Sequence, residues 1–194
     1  MVEDVEARKR ALRAELRERR RVKPASRRAA DAAALTQNLV DLVSDLDVHS
    51  LSAYLSTPDE PDTRDFLSWA AERGTRVLIP VSRADGLLDW APYDGDAEDV
   101  DVLGMPTPTT ELLGPIAINE VDLILVPAAA VDRTGMRMGW GMGYFDKTLG
   151  SMEACPPVYA VIFDDELVDA VPRERHDQPV NGVVTPSGII SFSA

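Results

Sequence analysis

Residues 121–146 have the sequence VDLILVPAAAVDRTGMRMGWGMGYFD, and this stretch decides the architecture that the sequence predicts. It begins with an apolar run, residues 121–126, that has the length and composition of a buried strand. It continues into a segment with glycine at positions 135, 139, 141 and 143, and a predicted helix starts at Tyr144. A strand, a glycine-rich loop and a helix N-terminus in this order are typical of an anion-binding loop in an α/β protein.

The glycine-rich part, RMGWGMGYFD at residues 137–146, is a candidate phosphate site. Closely spaced glycines allow positive φ and let successive backbone N–H groups turn inward around an anion. Arg137 supplies a planar guanidinium that suits phosphate oxygens, and Asp146 supplies a carboxylate that suits Mg²⁺. The spacing matches neither the Walker A loop nor the Rossmann fingerprint. On the glycines alone, a plain surface turn is an equally good interpretation.

The other apolar segments extend the strand and helix pattern along the chain. Predicted strands cover residues 51–55, 76–81, 87–93, 158–163 and 182–184, and predicted helices cover residues 5–22, 24–46 and 64–73. Strands rich in valine, isoleucine and leucine that alternate with helices predict an α/β fold, with a mostly parallel central sheet flanked by helices on both faces. The length of 194 residues predicts a single domain over residues 1–194.

Two loops are expected to meet in one cleft, because ligands in such sheets gather beyond the carboxyl ends of the strands. One is the turn after Leu55, and the other is the loop after Val126. In residues 51–56, apolar side chains alternate with Ser52, Tyr54 and Ser56, which is typical of a strand. The acidic segment 94–120, which contains MPTPT, is long enough to be either functional or mobile.

Charge is distributed unevenly along the chain. The formal net charge is -13, but residues 1–23 hold nine basic residues against five acidic ones. The overall excess of acid argues against a general nucleic-acid binder. In the basic N-terminal helix, Lys9 and Arg13 lie on the side that packs, whereas Arg10 and Arg17 lean away. Lys9 and Arg13 therefore either meet an anion or cover apolar surface with their methylene stems.

Composition also bounds the environment of the protein. The single cysteine, Cys155, excludes an internal disulfide and fits a reducing compartment. The sequence has no apolar run of membrane-spanning length and no signal-peptide core. We therefore expect a cytoplasmic protein, a monomer with neither membrane nor nucleic-acid partners. His49 and His176 are far apart in sequence and lack other obvious metal ligands, so we interpret both as structural.

From Val126 onward, VPAAAVDRTGMRMGWGMGYFDKTL resembles the pattern of the 5-formyltetrahydrofolate cyclo-ligase family, in which G-x-R-[LM]-G-x-G-x-G-[YF]-[YF]-D follows a VPG turn. Three other segments resemble blocks of the same family in the same order: KRALR at 9–13, YLSTPDEPDT at 54–63 and VPRERHDQPVNGVVTPSG at 171–188. The resemblance covers nearly the whole chain. Trp140 departs from it at a commonly polar position, and Asn181 stands where aspartate is common.

The resemblance implies ATP- and Mg²⁺-dependent closure of 5-formyltetrahydrofolate to 5,10-methenyltetrahydrofolate, with release of ADP and phosphate. It implies catalytic roles for Arg137 and Tyr144 and a metal site near Asp146 and Asp177. Glu60 would accept a forked pair of hydrogen bonds from the pterin edge. The implied ATP contacts are Lys9, Arg10, Ala11, Leu12, Arg13, Arg137, Met138, Gly139, Trp140, Gly141, Met142, Gly143, Tyr144 and Phe145. The implied folate contacts are Leu55, Glu60, Trp140, Gly141, Met142, Gly143 and Tyr144.

Two alternatives stay open at this point. A paralogue with the same ATP cleft would act on another acceptor or serve as a non-catalytic regulator. An RNA-associated protein would use the basic N-terminal helix, and its affinity for RNA would depend on salt.

Overall fold

The computed structural model describes residues 2–192. Its α-helices are α1 (Val2–Arg21), α2 (Ala25–Asp45), α3 (Arg64–Glu72) and α4 (Tyr144–Ser151), and short 3₁₀ helices cover Pro115–Glu120 and Asp164–Glu166. The strands are β1 (Ser50–Ser52), β2 (Arg76–Ser82), β3 (Leu88–Pro92), β4 (Glu98–Val100), β5 (Pro106–Pro108), β6 (Leu123–Pro127), β7 (Ala130–Asp132), β8 (Arg137–Met138), β9 (Val158–Val161), β10 (Leu167–Val168), β11 (Gly182–Thr185) and β12 (Gly188–Ser191).

The central sheet has seven strands in the order β12-β11-β9-β6-β1-β2-β3. The inner strands, from β11 to β2, pair in parallel, and the outer strands β3 and β12 pair antiparallel with their neighbours. Residues 2–192 also form two small sheets, β10-β7-β8 and β4-β5. The predicted α/β fold with a mostly parallel sheet is therefore confirmed.

Helices cover both faces of the sheet, as predicted. On one face, α2 and α3 pack on Leu51, Leu123 and Leu125. On the other face, α4 and the 3₁₀ helix Pro115–Glu120 pack on side chains such as Ile124. The polar side chains of the first strand segment, Ser52, Tyr54 and Ser56, are buried as well as the apolar ones. Since β1 lies between two parallel neighbours with helices above and below, neither of its faces reaches solvent.

Helix α1 does not cover the central sheet. Its buried Leu16 packs instead on Ala129, Met138 and Val171, around the small sheet that follows β6. The long acidic segment is ordered: it forms the β4-β5 hairpin and the 3₁₀ helix. Within residues 2–192, no helix combines the length and the hydropathy that a membrane crossing requires.

The strand order places a ligand site between β1 and β6. From β1, the chain proceeds to β2 and β3 on one side, whereas β6, β9 and β11 follow on the other side. The connections after β1 and β6 therefore diverge and leave a crevice beyond the carboxyl ends of these two strands. In open α/β sheets this crevice is where ligands bind.

Candidate functional site

A cleft lies at this crevice, and the expectation that the loops after Leu55 and Val126 share one cleft is confirmed. The segment after β1 contributes Tyr54, Leu55 and Glu60 to its lining, and the glycine-rich loop contributes Arg137 and residues 139–146. Helix α1, the end of β2, the β4-β5 hairpin and residues 174–177 close the remaining sides.

Arg137 is the buried centre of the glycine-rich loop. Its side chain is 3% exposed, and its Nη2 lies 2.8 Å from Oδ1 of Asp146. Its Nε is buried without a hydrogen-bond partner in the described part of the chain. A Cβ added to Gly139 would lie 2.8 Å from Nη1 of Arg137, so a side chain at this position would displace the guanidinium. The loop thus makes room for a guanidinium that still has an unused donor.

Helix α1 packs against the glycine-rich loop through Arg13. Nε of Arg13 donates to the carbonyl oxygen of Gly139 at 2.8 Å. Gly141 has φ of 104°, which disfavours any side chain, and a Cβ there would lie 3.2 Å from Arg13. Because this glycine carries no side chain, the guanidinium of Arg13 can lie directly on the loop.

Lys9 lies one turn before Arg13 and is 3% exposed. Its Nζ contacts Asp177 at 2.8 Å and Glu174 at 2.9 Å. Burial alone would lower the pKa of Lys9, but the hydrogen bonds from its ammonium to the two carboxylates outweigh burial and raise it. Lys9 is therefore a permanent cation that joins the N-terminal helix to residues 174–177.

The remaining members of the KRALR block do not line the cleft. Arg10 and Ala11 are exposed on the outer side of α1. Leu12 and Met138 belong to the apolar cluster beneath the helix, and Met138 is fully buried there. Arg17 does not simply lean away as expected, because its guanidinium carbon lies 5.1 Å from the centre of the Trp140 ring.

Trp140 is positioned by an ion pair that the sequence did not indicate. The guanidinium carbon of Arg20 lies 4.7 Å from the Trp140 ring, a cation–π distance. Arg20 also donates to both oxygens of Glu166, at 2.6 and 2.9 Å, and both residues are buried. Burial raises the pKa of Glu166, although Arg20 opposes this. The sequence indicated only that Arg20 lies on the same packed side of α1 as Lys9 and Arg13, and it did not indicate the partner Glu166.

The two predicted metal ligands, Asp146 and Asp177, both line the cleft, and each forms an ion pair with a basic side chain. Oδ1 of Asp146 accepts from Arg137 and, at 3.3 Å, from the backbone N–H of Gln178. Oδ2 of Asp177 accepts from Lys9 and from the backbone N–H of Glu174. Hard oxygen donors of this kind fit Mg²⁺.

His176 has neighbours that the sequence interpretation overlooked. Ligand atoms of Glu174, His176 and Asp177 all lie within 4.8 Å of one another. The statement that His176 lacks other ligands is therefore wrong, since the turn folds two carboxylates back beside it. Asn181 has a structural role: its Oδ1 accepts from the backbone N–H of Val158 at 2.8 Å, at the start of β9.

The predicted folate contacts line the opposite side of the cleft. Leu55 is buried, and Oε2 of Glu60 accepts from the backbone N–H and the hydroxyl of Thr57, at 2.8 and 3.0 Å. The other oxygen of Glu60, Oε1, has no hydrogen bond within residues 2–192. The hydroxyl of Tyr144 donates to the carbonyl oxygen of Arg83 at 2.8 Å. A ligand in the cleft would therefore contact the ring of Tyr144 rather than its hydroxyl.

An apolar wall of the cleft comes from segments to which the sequence assigned no role. Its side chains belong to the ends of β2 and β3 and to the β4-β5 hairpin: Ile79, Pro80, Leu88, Leu103, Met105 and Pro106. For the hairpin, the signal in the sequence was the MPTPT motif within the long acidic segment 94–120. The wall gives the cleft the mixed apolar and charged lining of a small-molecule site.

The charged residues around the cleft are mostly acidic. Lys9, Arg13 and Arg137 face six carboxylates, those of Glu6, Glu60, Asp101, Asp146, Glu174 and Asp177. Two of the three cations already contact carboxylates. An anionic ligand would therefore need an accompanying cation to bind here.

The fold and the cleft define a parallel α/β protein with a charged small-molecule site at the switch point of its sheet. Comparison with known proteins then identifies the family. Residues 5–186 match the model of the 5-formyltetrahydrofolate cyclo-ligase family. The chain belongs to this family.

Individual relatives agree with the family match. The 5-formyltetrahydrofolate cyclo-ligase of Mycolicibacterium smegmatis is 38% identical over 187 residues, which cover 93% of this chain and 95% of the relative. The enzyme of the same name from Escherichia coli K12 is 31% identical and covers 73% of this chain and 80% of the relative. The solved 5,10-methenyltetrahydrofolate synthetase of Aquifex aeolicus has a TM-score of 0.78 at 22% identity, over 96% of this chain and 93% of that one. This structural likeness confirms the fold.

Proposed function

We propose that the protein closes the ring of 5-formyltetrahydrofolate with ATP, giving 5,10-methenyltetrahydrofolate, ADP and phosphate. The observation that carries the proposal is the contact between helix α1 and the glycine-rich loop. Arg13 bonds to Gly139 of that loop, and Arg137 lies buried beneath the same glycine with a free donor. Two distant segments thus bring cationic groups to one cleft, as binding of a polyphosphate requires.

The chemistry needs positioning more than a protein nucleophile. The formyl oxygen attacks the γ-phosphorus of ATP, the bond to the β–γ bridging oxygen breaks, and ADP departs. N10 then attacks the formyl carbon and loses its proton, and phosphate leaves with the former formyl oxygen. Phosphoryl transfer of this kind depends mainly on holding the reactants in line and neutralising charge.

In this proposal the cations of the cleft exchange partners when the nucleotide binds. Lys9 and Arg137 now contact Asp177 and Asp146, and phosphate oxygens would replace these carboxylates. The two carboxylates would then hold Mg²⁺, which offsets phosphate charge when it is bound. The existing ion pairs keep both cations oriented before the nucleotide arrives.

The folate would lie between the acidic turn after β1 and the apolar wall. Oε1 of Glu60 has room to accept from the pterin edge, because Thr57 bonds only to Oε2. The ring of Tyr144 is fixed by its hydroxyl bond to Arg83 and would support the reactants by contact. The apolar wall excludes water, which would otherwise compete with N10 for the activated formyl carbon.

Incubating the purified protein with 5-formyltetrahydrofolate and Mg-ATP tests the proposal. We expect the near-ultraviolet absorbance of the methenyl product to develop, with one ADP formed per product. Omitting ATP serves as the control and should abolish the signal. ADP formation without methenyl product would indicate another acceptor, and ATP binding without either product would indicate a regulator.

A further inference from the structure

A second buried donor of the cleft has no partner. Among residues 2–192, the buried side-chain atoms without a hydrogen bond are Oγ of Ser52, the hydroxyl of Tyr54, Nε1 of Trp90 and Nε of Arg137. Two of these residues, Tyr54 and Arg137, line the cleft. A buried polar group without a partner destabilises the folded state. A buried, unpaired hydroxyl on a residue that lines the cleft is therefore a candidate hydrogen-bond donor to a ligand.

The surroundings of Tyr54 hold it firmly in place. It lies two residues beyond the end of β1, at the switch point of the sheet, and is 4% exposed. Its backbone carbonyl accepts from the hydroxyl of Thr63 at 2.6 Å, and its ring packs in the apolar cluster beneath α2 and α3. The neighbouring cleft residues are Leu55 and Glu60, on the predicted folate side.

The hydroxyl of Tyr54 stays protonated and can act as a donor. Burial raises the pKa of Tyr54 well above its ordinary value, and the negative charge of Glu60 raises it further. Arg20 opposes these effects, but the net direction is upward. Tyr54 thus holds a neutral, buried hydroxyl donor in the wall of the cleft, within the electrostatic influence of the Glu60 carboxylate.

We propose that Tyr54 donates a hydrogen bond to the 4-oxo oxygen of the pterin while Oε1 of Glu60 accepts from the adjacent N3–H. This assignment rests on the proposed function and names a specificity determinant within it. The lactam edge of a pterin presents an acceptor beside a donor, which complements a hydroxyl beside a carboxylate. A 2,4-diamino ring has an amino group in place of the oxygen and lacks the N3 proton. Tyr54 therefore favours 4-oxo over 4-amino pteridines.

The isosteric variant Tyr54→Phe tests the assignment with two measurements that move in opposite directions. Removing an unpaired buried hydroxyl should stabilise the free protein, raising its unfolding midpoint by about 2–4 °C. Removing a contact to the pterin should weaken binding of 5-formyltetrahydrofolate by about tenfold in calorimetry, with Mg-ATP binding unchanged. The preference for 5-formyltetrahydrofolate over its 2,4-diamino counterpart should fall by a similar factor.

Tyr159→Phe is the matched control. The hydroxyl of Tyr159 is paired with Oγ of Ser191 at 2.8 Å, in the sheet and outside the cleft lining. Its loss should lower the unfolding midpoint and leave folate binding unchanged. Combining Tyr54→Phe with Glu60→Gln should give a non-additive loss of affinity, because both groups contact neighbouring atoms of one ring.

Failure of this assignment can be told apart from failure of the proposed function. Wild-type protein that binds 5-formyltetrahydrofolate but forms no methenyl product would refute the reaction, whereas the calorimetric comparison would still decide the role of Tyr54. Unchanged folate affinity in Tyr54→Phe would overturn the assignment, as would a lowered unfolding midpoint. Absence of folate binding to the wild type would overturn both.

Discussion

The double variant Lys9→Ala with Arg13→Ala should lose most of the affinity for Mg-ATP. The structure shows both side chains on the cleft side of α1, with Lys9 buried against two carboxylates and Arg13 bonded to the glycine-rich loop. If both cations contact phosphate oxygens, each contributes a charge-assisted hydrogen bond of roughly 1.5–3 kcal/mol. Loss of one contact corresponds to about tenfold or more, so loss of both should raise the dissociation constant at least about 100-fold.

The magnitude includes a second effect that only the structure reveals. Removing Lys9 leaves Glu174, which is not one of the proposed Mg²⁺ ligands, without its basic partner, and this carboxylate then repels the phosphates. Lys9→Ala alone should consequently weaken Mg-ATP binding more than Arg13→Ala alone, since Arg13 contacts a neutral carbonyl oxygen. Calorimetric titration of each variant with Mg-ATP measures both differences, and circular dichroism confirms that the helix content is retained.

The control for this experiment is Arg8→Ala with Arg10→Ala. These residues are exposed on the outer side of the same helix, so the pair removes the same formal charge away from the cleft. Arg17 is unsuitable as a control because it lies against Trp140. Equal losses of Mg-ATP affinity in the two double variants would show that the helix acts through its overall charge and not through specific contacts. Unchanged binding in both would remove α1 from the nucleotide site.

Three further predictions follow from the same contacts. Arg137→Ala should lower turnover at saturating ATP by about 100-fold or more while the protein stays folded, and near-normal turnover would contradict its placement at the phosphoryl group. Gly139→Ala should displace the guanidinium of Arg137 and reduce turnover about tenfold, whereas Gly114→Ala, with open space around its Cα, should be neutral; equal activities would show that Arg137 moves freely. The hydrogen bond from Lys9 lowers the pKa of Glu174 below 4.5, so this stabilisation is present above that pH and lost as the pH falls through the lowered pKa. Between about pH 6 and about pH 3, the unfolding midpoint should therefore fall less steeply with pH in Lys9→Met than in the wild type. If the midpoints of the two proteins fall in parallel, the Lys9–Glu174 contact does not link stability to pH.

Much of the architecture is encoded in local sequence. Apolar runs such as residues 121–126 and 76–81 specify buried strands because their side chains can be removed from water only between two covering layers. The density of glycine in residues 135–143 specifies a loop with positive φ, and Gly135, Gly141 and Gly143 all adopt it. The start of α4 at Tyr144 also follows from this local pattern. These features depend on neighbours in sequence, so composition and periodicity suffice to predict them.

Tertiary structure alone decided which partners the side chains of the cleft have. Tyr54 follows β1 at the switch point of the sheet, where its hydroxyl is buried and has no hydrogen-bond partner within residues 2–192. Lys9 meets Asp177 across 168 positions, and Arg20 meets Glu166 across 146. Helix and strand periodicity in the sequence cannot predict such pairings, because they form when α1 packs beyond the carboxyl ends of the strands rather than on the sheet. The sequence determined the elements and the glycine-rich loop, whereas the order of the strands determined the partners, since it alone brings distant segments to the same crevice.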